Sequence, residues 1–410
     1  MDHLAVILSG ISVIGLDGRS LHAEAEGLLR GATLVVGGER HLKMLGVEPE
    51  RAAVLKGDLL GALGRIENVE GPIVVLASGD PGFFGIVRLL GERFGPENLR
   101  VVPAISCVAY AFARAGIPWE DAVTVSAHGR EPHRALNVCR AYPKVAVLTS
   151  PAFGPADLAK ALDGLARTFL VAERLGEPGE RVYEGGAGEV ARMRWEDPNV
   201  VLVVDQKRAV GGKRWISSRP QDHGPWALPE TEFEHRSGMI TKAETRALVL
   251  ARLGPGPGDL VWDVGAGSGS VAIECARFGA AAIAVERDPA SCARVRQNAA
   301  QHSVYVQVVE GEAPTSLHEL PEPDAVFVGG TGESFEEIIK LAAVRTLRSV
   351  VLSLVTLERV VPAAQILEDC GLEVETTLLQ ASHMRGVGPL HRLAAESPVF
   401  VISGRRQGKP

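Results

Sequence analysis

Residues Asp259 to Glu274 have the sequence DLVWDVGAGSGSVAIE, an apolar segment followed by a glycine-rich turn and a second apolar segment. This order predicts a strand that enters a tight turn and continues into a helix. Because glycine lacks a Cβ atom, Gly265, Gly267 and Gly269 let the backbone turn sharply and approach a ligand closely. The stretch therefore predicts a nucleotide-cofactor site at the first strand of an α/β sheet.

Two acidic residues near this turn indicate which cofactor it would bind. The spacing is G-x-G-x-G, whereas dinucleotide sites have G-x-G-x-x-G. Asp263 lies at the end of the first strand, and Glu286 ends the next apolar run, where α/β sheets place their ligands and a ribose is expected. A buried carboxylate needs a cationic partner, and S-adenosylmethionine offers an ammonium and a sulfonium group. We therefore expect this cofactor at Asp263, Glu286 and the turn residues Gly265, Ala266, Gly267, Ser268 and Gly269. A tight turn that binds nothing is the alternative.

Length and composition narrow the class of protein. The chain has 410 residues, which predicts two or three domains. Its apolar runs stay short of the roughly 20 residues of a membrane-spanning helix, and residues 4–8 lack the basic leader of a signal peptide, so we expect no membrane contact. The five cysteines are scattered without a C-x-x-C pair, which predicts no disulfide framework, no metal site and a cytoplasmic location. The net charge of −7 argues against a nucleic-acid partner.

Residues 206–232 separate two halves that both alternate strand-like and helix-like segments. Charged residues, glycine and proline interrupt the apolar periodicity there, which indicates a linker or an active-site flap. The alternation predicts parallel sheets with crossover helices, in domains at 1–205 and 233–410. The expected N-terminal strands are 11–16, 33–36, 73–77, 99–102, 123–126, 145–149, 168–171 and 200–204. In the C-terminal half, a doubly wound, Rossmann-like α/β sheet is predicted from seven strands at 260–264, 281–285, 304–309, 325–328, 349–354, 372–378 and 398–402.

The N-terminal half contains a predicted strand that ends in the turn Ser78-Gly79-Asp80-Pro81. This turn, together with residues 15–18 (GLDG), 37–41 (GGERH), 103–106 (PAIS) and 127–130 (AHGR), resembles the tetrapyrrole methylases. The resemblance implies a two-lobed α/β fold and a cofactor that contacts Gly79, Asp80, Pro81 and Ser106. For Asp80, a cap of the following helix is the alternative.

The C-terminal half resembles the methyltransferases that decarboxylate a corrin precursor. The resemblance rests on the glycine turn and on residues 238–246 (GMITKAETR), 311–314 (GEAP), 323–330 (PDAVFVGG) and 355–358 (VTLE). Two such halves in one chain are similar to the bifunctional methylases of cobalamin biosynthesis. The resemblance implies that precorrin-6Y or its cobalt counterpart is methylated at C5 by the N-terminal half and at C15 by the C-terminal half. It also implies that the ring C acetate is decarboxylated, which gives precorrin-8X, and that two S-adenosylmethionine sites exist.

Basic residues are candidates for binding the carboxylates of such a substrate. His128 and Arg130 follow a predicted strand, and Arg385, His391 and Arg392 lie in a second basic loop near the C-terminus. Guanidinium groups pair with carboxylates through two parallel hydrogen bonds, which suits them to this task. Ordinary solvated surface charge is the alternative for each of them.

Four further residues are assigned from their positions. Thr241 begins T-K-A-E, a capping-box pattern, whereas the resemblance implies a contact with the cofactor. Glu312 and Ala313 follow the third strand, where backbone contacts to adenine are expected. Asp324 precedes the fourth strand and is the candidate acid that protonates the carbon losing carbon dioxide, with a surface strand cap as the alternative.

Two other functions stay open from the residues alone. One is a methyltransferase of the same fold that acts on RNA or another small molecule, with the N-terminal half as a substrate platform. Such a protein would be expected to carry a basic excess. The other is a non-catalytic tetrapyrrole-binding or scaffold protein, which would not need the glycines or Glu286. The resemblance also implies a tetrapyrrole as the small-molecule partner and assembly as a homo-oligomer.

Overall fold

The chain forms two compact units in the computed structural model. Unit 1 comprises Met1–Arg130 and Ala146–Ser217, and unit 2 comprises Glu131–Val145 and Ser218–Pro410. The residues that the structure describes are 10–55, 59–209, 217, 224–236 and 240–407.

The predicted domain bounds, 1–205 and 233–410, stay a prediction, and the two units differ from them mainly in one segment. Residues Glu131–Val145 precede and enter a strand of the N-terminal half, yet they belong to unit 2. Much of the predicted linker lies outside the described residues, namely 210–216 and 218–223, as do Gly238 and Met239 of the motif at 238–246.

The chain begins with a five-stranded parallel sheet. Its strands are β1 (Ile11–Leu16), β2 (Leu34–Gly37), β3 (Ala52–Val54), β4 (Ile73–Ser78) and β5 (Leu99–Val102), in the order β3-β2-β4-β1-β5. Helices α1 to α5 are Ala23–Gly31, Glu39–Met44, Leu59–Glu67, Val87–Phe94 and Cys107–Ala115. All of β1 is buried, as expected for a central parallel strand covered on both faces. The sequence pattern does not predict β3, because three residues are too few to show a period.

A second five-stranded sheet follows and contains antiparallel pairs. Its strands are β6 (Val123–Ser126), β7 (Lys144–Leu148), β8 (Thr168–Glu173), β9 (Arg181–Gly186) and β10 (Asn199–Val204), in the order β6-β7-β10-β8-β9. Helices α6 (His133–Ala141), α7 (Pro155–Ala161) and α8 (Ala187–Val190) lie among them. Because β8 pairs antiparallel with both β9 and β10, the expectation of parallel sheets is wrong here. Residues 174–180 are fewer than the dozen or so that a parallel crossover needs.

Unit 2 contains the predicted doubly wound, seven-stranded sheet. The strands β11 to β16 are Leu260–Val264, Ala281–Glu286, Gln307–Glu310, Ala325–Val328, Ser349–Leu354 and Leu372–Leu379; after the hairpin strands β17 (Ser382–Val387) and β18 (Leu390–Ala395) comes β19 (Val399–Arg406). The order is β13-β12-β11-β14-β15-β19-β16, so the chain reverses direction across the sheet between β11 and β14. Ligands of open α/β sheets bind at this point of reversal, beyond the carboxyl ends of the strands.

Helices cover both faces of this sheet. Helices α9 to α13 are Ala243–Leu253, Ser270–Arg277, Pro289–Gln301, Phe335–Arg345 and Leu357–Asp369. Short 3₁₀ helices occur in unit 1 at Pro49–Arg51 and Pro96–Asn98, and in unit 2 at Glu230–Glu232 and Thr315–Leu317. Trp262 and Ile339 pack in the core on one face of the sheet, whereas Val261 and Leu250 pack on the other. Within the described ranges, no helix has both the length and the apolar character to cross a membrane.

The predicted basic loop near the C-terminus is a β-hairpin. Strands β17 and β18 pair only with each other in the described structure and form a separate two-stranded sheet. Every residue of β17 is exposed, and Met384 and Leu390 are about 70% exposed. Its large apolar residues, Met384, Val387, Leu390 and Leu393, recur at every third position, whereas one face of a strand has a period of two. This spacing explains why the sequence pattern does not predict the hairpin.

Strand β19 is the structural centre of one half of the sheet, because it joins β15 to β16. Ile402 on β19 is fully buried in the core. We expect Ile402→Ala to lower the free energy of unfolding of unit 2 by about 2–5 kcal/mol through the cavity it leaves. Val344→Ala, at a site that is 60% exposed on α12, should change it by less than about 0.5 kcal/mol. Urea unfolding followed by fluorescence measures both, and equal effects would contradict this account.

Candidate active site

The three glycines of the turn after β11 serve two different purposes. All have positive φ, at 71°, 56° and 75°. A Cβ on Gly265 would lie 2.6 Å from the carbonyl oxygen of Gly330, and one on Gly269 would lie 2.7 Å from Val295 Cγ1. A Cβ on Gly267 would meet no protein atom within 4 Å. Gly265 and Gly269 thus allow close packing, whereas Gly267 leaves open space at the wall of a cavity.

This cavity has a volume of about 850 Å³, within the usual range for a small-molecule site. It lies beyond the carboxyl ends of β11, β12, β14 and β15, at the reversal point of the sheet. Gly269 is not part of its lining. Nine of the predicted cofactor-binding residues line it, namely Thr241, Asp263, Gly265, Ala266, Gly267, Ser268, Glu286, Glu312 and Ala313.

Asp263 brings a buried carboxyl group to the wall of the cavity. The residue is only 1% exposed, and its Oδ2 accepts the backbone N–H of Ala272 at 3.0 Å. Its Oδ1 has no hydrogen-bond partner among the described residues. Burial raises the pKa of Asp263 from 3.8 to about 7, and the nearby Glu286 carboxylate adds to this effect. A buried oxygen without a partner in the protein suits a cationic or hydrogen-bonding ligand.

Glu286 holds the glycine turn in place. Its Oε2 accepts the backbone N–H of Gly267 at 2.9 Å, and its Oε1 accepts that of Asp288 at 3.0 Å. Each carboxylate oxygen can accept more than one hydrogen bond. The carboxylate is therefore fixed in orientation and keeps acceptor capacity for the hydroxyl groups of a ligand.

Thr241 lines the cavity, but the capping box predicted for it is wrong. Helix α9 begins at Ala243, its N-cap is Lys242, and no side chain of the T-K-A-E pattern makes the capping bond. Glu230 accepts the N–H of Ala243 at 2.8 Å instead, which leaves Thr241 outside the helix. The carbonyl of Thr241 accepts a hydrogen bond from the buried guanidinium of Arg246.

Asp324 does not lie at the cavity, which corrects its assignment as a catalytic acid. It precedes β14 at the amino edge of the sheet, and the four residues of β14 separate it by about 13 Å from the carboxyl edge. Its Oδ2 accepts the N–H of Leu260 at 2.7 Å and lies 3.0 Å from His133 Nε2. The bond to Asp324 raises the pKa of His133. These contacts describe a structural carboxylate that links strand β11 to helix α6.

The predicted substrate-binding residues of unit 2 are not among the residues that line the cavity. Arg385 and Arg392 are direct cross-strand neighbours on β17 and β18, and His391 is opposite Gly386. None of them is part of the cavity lining. Their role in carboxylate recognition stays a prediction.

Five cations outside the predicted set line the cavity: Arg236, Lys242, Arg287, Arg294 and Arg359. They come from three parts of the chain, 236–242, 287–294 and 359, and no single motif contains them all. Lys242 and Arg359 do lie in or next to quoted motifs, the segments 238–246 and 355–358. That adjacency is the signal by which they could have been found.

The predicted N-terminal site has a smaller cavity, of about 110 Å³, within unit 1. Gly79 lines it together with Asp17, Gly18, Ser78 and Cys107. The Asp80 carboxylate accepts the N–H of Gly82 at 2.8 Å. Because α4 begins only at Val87, Asp80 is not the cap of that helix.

The remaining predicted N-terminal residues lie outside the lining of this cavity. Ser106 caps α5, with its hydroxyl accepting the N–H of Ala109 at 3.1 Å. His128 places Nδ1 3.2 Å from the carbonyl oxygen of Thr149, and both His128 and Arg130 are exposed. Pro81 is buried in the turn after β4. The roles predicted for these four residues stay predictions.

Both halves match known domain families. Residues 15–191 match the tetrapyrrole (corrin/porphyrin) methylases, and residues 231–406 match the precorrin methyltransferase domain. Fold and cavity thus define a Rossmann-like methyltransferase joined to a tetrapyrrole methylase, dependent on S-adenosylmethionine. The chain is 37% identical over 362 residues to precorrin-6Y C(5,15)-methyltransferase [decarboxylating] of Sinorhizobium sp, which covers 84% of each protein. The chain belongs to the precorrin-6Y C5,15-methyltransferase (decarboxylating) family, enzymes of cobalamin biosynthesis.

Two further relatives are named for a single methylation. A probable cobalt-precorrin-6B C(15)-methyltransferase (decarboxylating) of Pyrobaculum calidifontis is 34% identical over 183 residues, which is 43% of this chain and 94% of that protein. Cobalt-precorrin-7 C(5)-methyltransferase of Salmonella typhimurium is 32% identical over 204 residues, which is 48% of this chain and 100% of that protein. An RNA methyltransferase and a non-catalytic scaffold, the two alternatives, do not fit this membership.

The structural role of Asp324 can be separated from a catalytic one. We expect Asp324→Ala to lower the free energy of unfolding by about 1–3 kcal/mol, because it leaves the buried N–H of Leu260 without an acceptor. Asp324→Asn keeps an acceptor and should cost less. In both variants, the rate of carbon dioxide release per folded molecule at saturating substrate should equal that of the unsubstituted enzyme. Loss of this rate in a folded Asp324→Asn protein would restore the catalytic role.

Proposed function

We propose that the two halves divide the reactions of this family between two S-adenosylmethionine sites. The N-terminal half methylates C5 of precorrin-6Y, and the C-terminal half decarboxylates the ring C acetate and methylates C15, which gives precorrin-8X. Each half has its own glycine-containing turn and its own cavity, and this observation carries the proposal. The two relatives named for a single methylation, each matching less than half of the chain, support the same division.

The cavity of unit 2 has room for the proposed cofactor and groups that complement its charge. S-adenosylmethionine supplies a methyl group that its sulfonium sulfur already activates. Gly267 leaves open space at the cavity wall, and Asp263 presents a buried oxygen without a partner in the described protein. Glu286 is oriented to accept hydrogen bonds from ribose hydroxyls. Glu312 and Ala313 form the wall proposed for adenine.

The protein has little covalent chemistry to perform, so its residues orient the substrate and exclude water. Phe327, Ile338 and Leu354 give the cavity apolar walls next to Asp263. When the acetate of the substrate loses carbon dioxide, the conjugated macrocycle accepts the electron pair of the broken C–C bond, and the carbon then takes up a proton. Because Asp324 lies at the other edge of the sheet, another acid or a water molecule supplies this proton. The resemblance to tetrapyrrole methylases also supports the proposal that the enzyme assembles as a homo-oligomer.

Stoichiometry tests the two sites. Calorimetric titration with S-adenosylhomocysteine should give two molecules per intact chain and one for Gly267→Val, because valine fills the open space at the cavity wall. Gly388→Val is the matched control, since Gly388 has a similar φ of 59° and open space around it but lies at the hairpin tip. The Gly267→Val enzyme should also add a single methyl group to precorrin-6Y, as measured by mass spectrometry. One molecule bound per unsubstituted chain would refute the proposal.

The ionisation of Asp263 should couple cofactor binding to pH. In the folded protein its pKa is about 7, so the carboxyl is mostly protonated below that pH. A bound cation favours the carboxylate, and binding below pH 7 should therefore release up to one proton and tighten as the pH rises towards 8. Titrations of S-adenosylmethionine in buffers with different ionisation enthalpies measure this proton. Asp263→Asn should abolish the proton release at this site; its persistence would assign the proton to another group.

A further inference from the structure

Arg359 lies at the wall of the unit 2 cavity with its guanidinium held by neutral groups. Its Nη1 donates to Thr331 Oγ1 at 3.0 Å, and its Nη2 donates to the carbonyl of Gly332 at 3.2 Å. The guanidinium carbon also lies 5.0 Å from the centroid of the Phe335 ring. These contacts fix the orientation of the group without neutralising its charge.

The charge of Arg359 is not compensated by the protein that the structure describes. None of the described carboxylates forms an ion pair with it, whereas Arg287 pairs with Glu312 at 3.1 Å and Arg294 pairs with Asp288 at 3.5 Å in the same cavity. Arg359 also lies in the first turn of α13, where the helix dipole disfavours a cation. A pre-oriented, unpaired guanidinium in a cavity is suited to a planar anion such as a carboxylate.

Apolar surface next to Arg359 narrows the class of anion. Val355, which lines the same cavity, is 70% exposed, and Leu357 beside it is 63% exposed. An exposed apolar patch next to a fixed cation is complementary to a molecule with a flat apolar body and carboxylates on its rim. A tetrapyrrole with acetate and propionate side chains has this chemistry.

We propose that Arg359 binds a side-chain carboxylate of the tetrapyrrole that the reaction retains, and that it thereby positions the macrocycle in the unit 2 cavity. This inference rests on the proposed function of that site. The carboxylate is a retained one because pairing with a guanidinium stabilises a carboxylate in the ground state, which would oppose its loss as carbon dioxide. Arg359 is thus a substrate-positioning residue of the decarboxylating half.

Steady-state release of carbon dioxide from precorrin-6Y tests this role, because only the C-terminal half is proposed to produce it. Arg359→Gln should raise the KM for precorrin-6Y about 10- to 100-fold, the effect of losing a hydrogen bond to a charged group, with kcat changed less than threefold or so. Arg359→Lys keeps the positive charge but cannot form two parallel hydrogen bonds to a carboxylate. Its KM should lie between those of the unsubstituted enzyme and Arg359→Gln. Arg296→Gln, which removes an exposed arginine of α11 outside the cavity, should leave KM unchanged.

A second measurement identifies the group that Arg359 recognises. Binding of precorrin-6Y and of its fully methylated ester can be compared by absorbance titration. Esterification should weaken binding to the unsubstituted enzyme more than to Arg359→Gln, because the variant has already lost one carboxylate contact. An equal loss in both proteins would overturn the proposal.

Other outcomes would overturn either the role of Arg359 or the proposed function. An unchanged KM in folded Arg359→Gln, or a fall in kcat at constant KM, would overturn the role of Arg359. Weaker binding of S-adenosylhomocysteine by this variant, measured by calorimetry, would also overturn it by assigning the residue to the cofactor. Failure of the unsubstituted enzyme to release carbon dioxide from precorrin-6Y would instead refute the proposed function.

Discussion

The ends of β11 and β14 meet backbone to backbone, and the candidate active site of unit 2 depends on this contact. The carbonyl of Val264 accepts the N–H of Gly329 at 2.9 Å, and Gly265 lies so close to Gly330 that no side chain fits between them. The contact holds the glycine turn against the loop that carries Thr331. As a result, the buried carboxyl of Asp263 and the guanidinium of Arg359 share one cavity. A side chain at position 265 would force the two loops apart.

Those parts of the fold that depend on local patterns could be predicted from the sequence. The seven strands of the unit 2 sheet are mostly continuous apolar runs, and their order in the chain with intervening helices specifies a doubly wound sheet. Asp263 is two residues before the turn at Gly265, and Glu286 lies at the carboxyl end of the neighbouring strand β12. The sheet therefore places them together without any information on tertiary contacts.

Other parts depend on contacts that the local sequence does not contain. Glu230, 13 residues before Ala243, accepts the N–H of Ala243 at the start of α9, where the T-K-A-E pattern predicts a cap from Thr241. Which edge of the sheet Asp324 occupies depends on where β14 begins, and the apolar run does not fix that boundary to the residue. A strand that starts at Ala325 puts Asp324 at the edge opposite the cavity. Arg359 is oriented by Thr331 and Gly332, which belong to another strand-to-helix connection. Such partners become neighbours only after the sheet has formed.

The position of β19 also has a consequence for synthesis on the ribosome. Strand β16 pairs only with β19 among the described strands, and β19 follows it in the chain by about 20 residues that include the whole hairpin. When β16 emerges from the exit tunnel, its pairing partner β19 has not yet emerged. Strand β16 therefore stays unpaired until β19 follows. The sheets of the N-terminal half use only strands that precede residue 205, so they can be completed while this happens. Nascent chains of this enzyme thus pass through a stage in which one half is folded and the other still exposes an open sheet edge to chaperones.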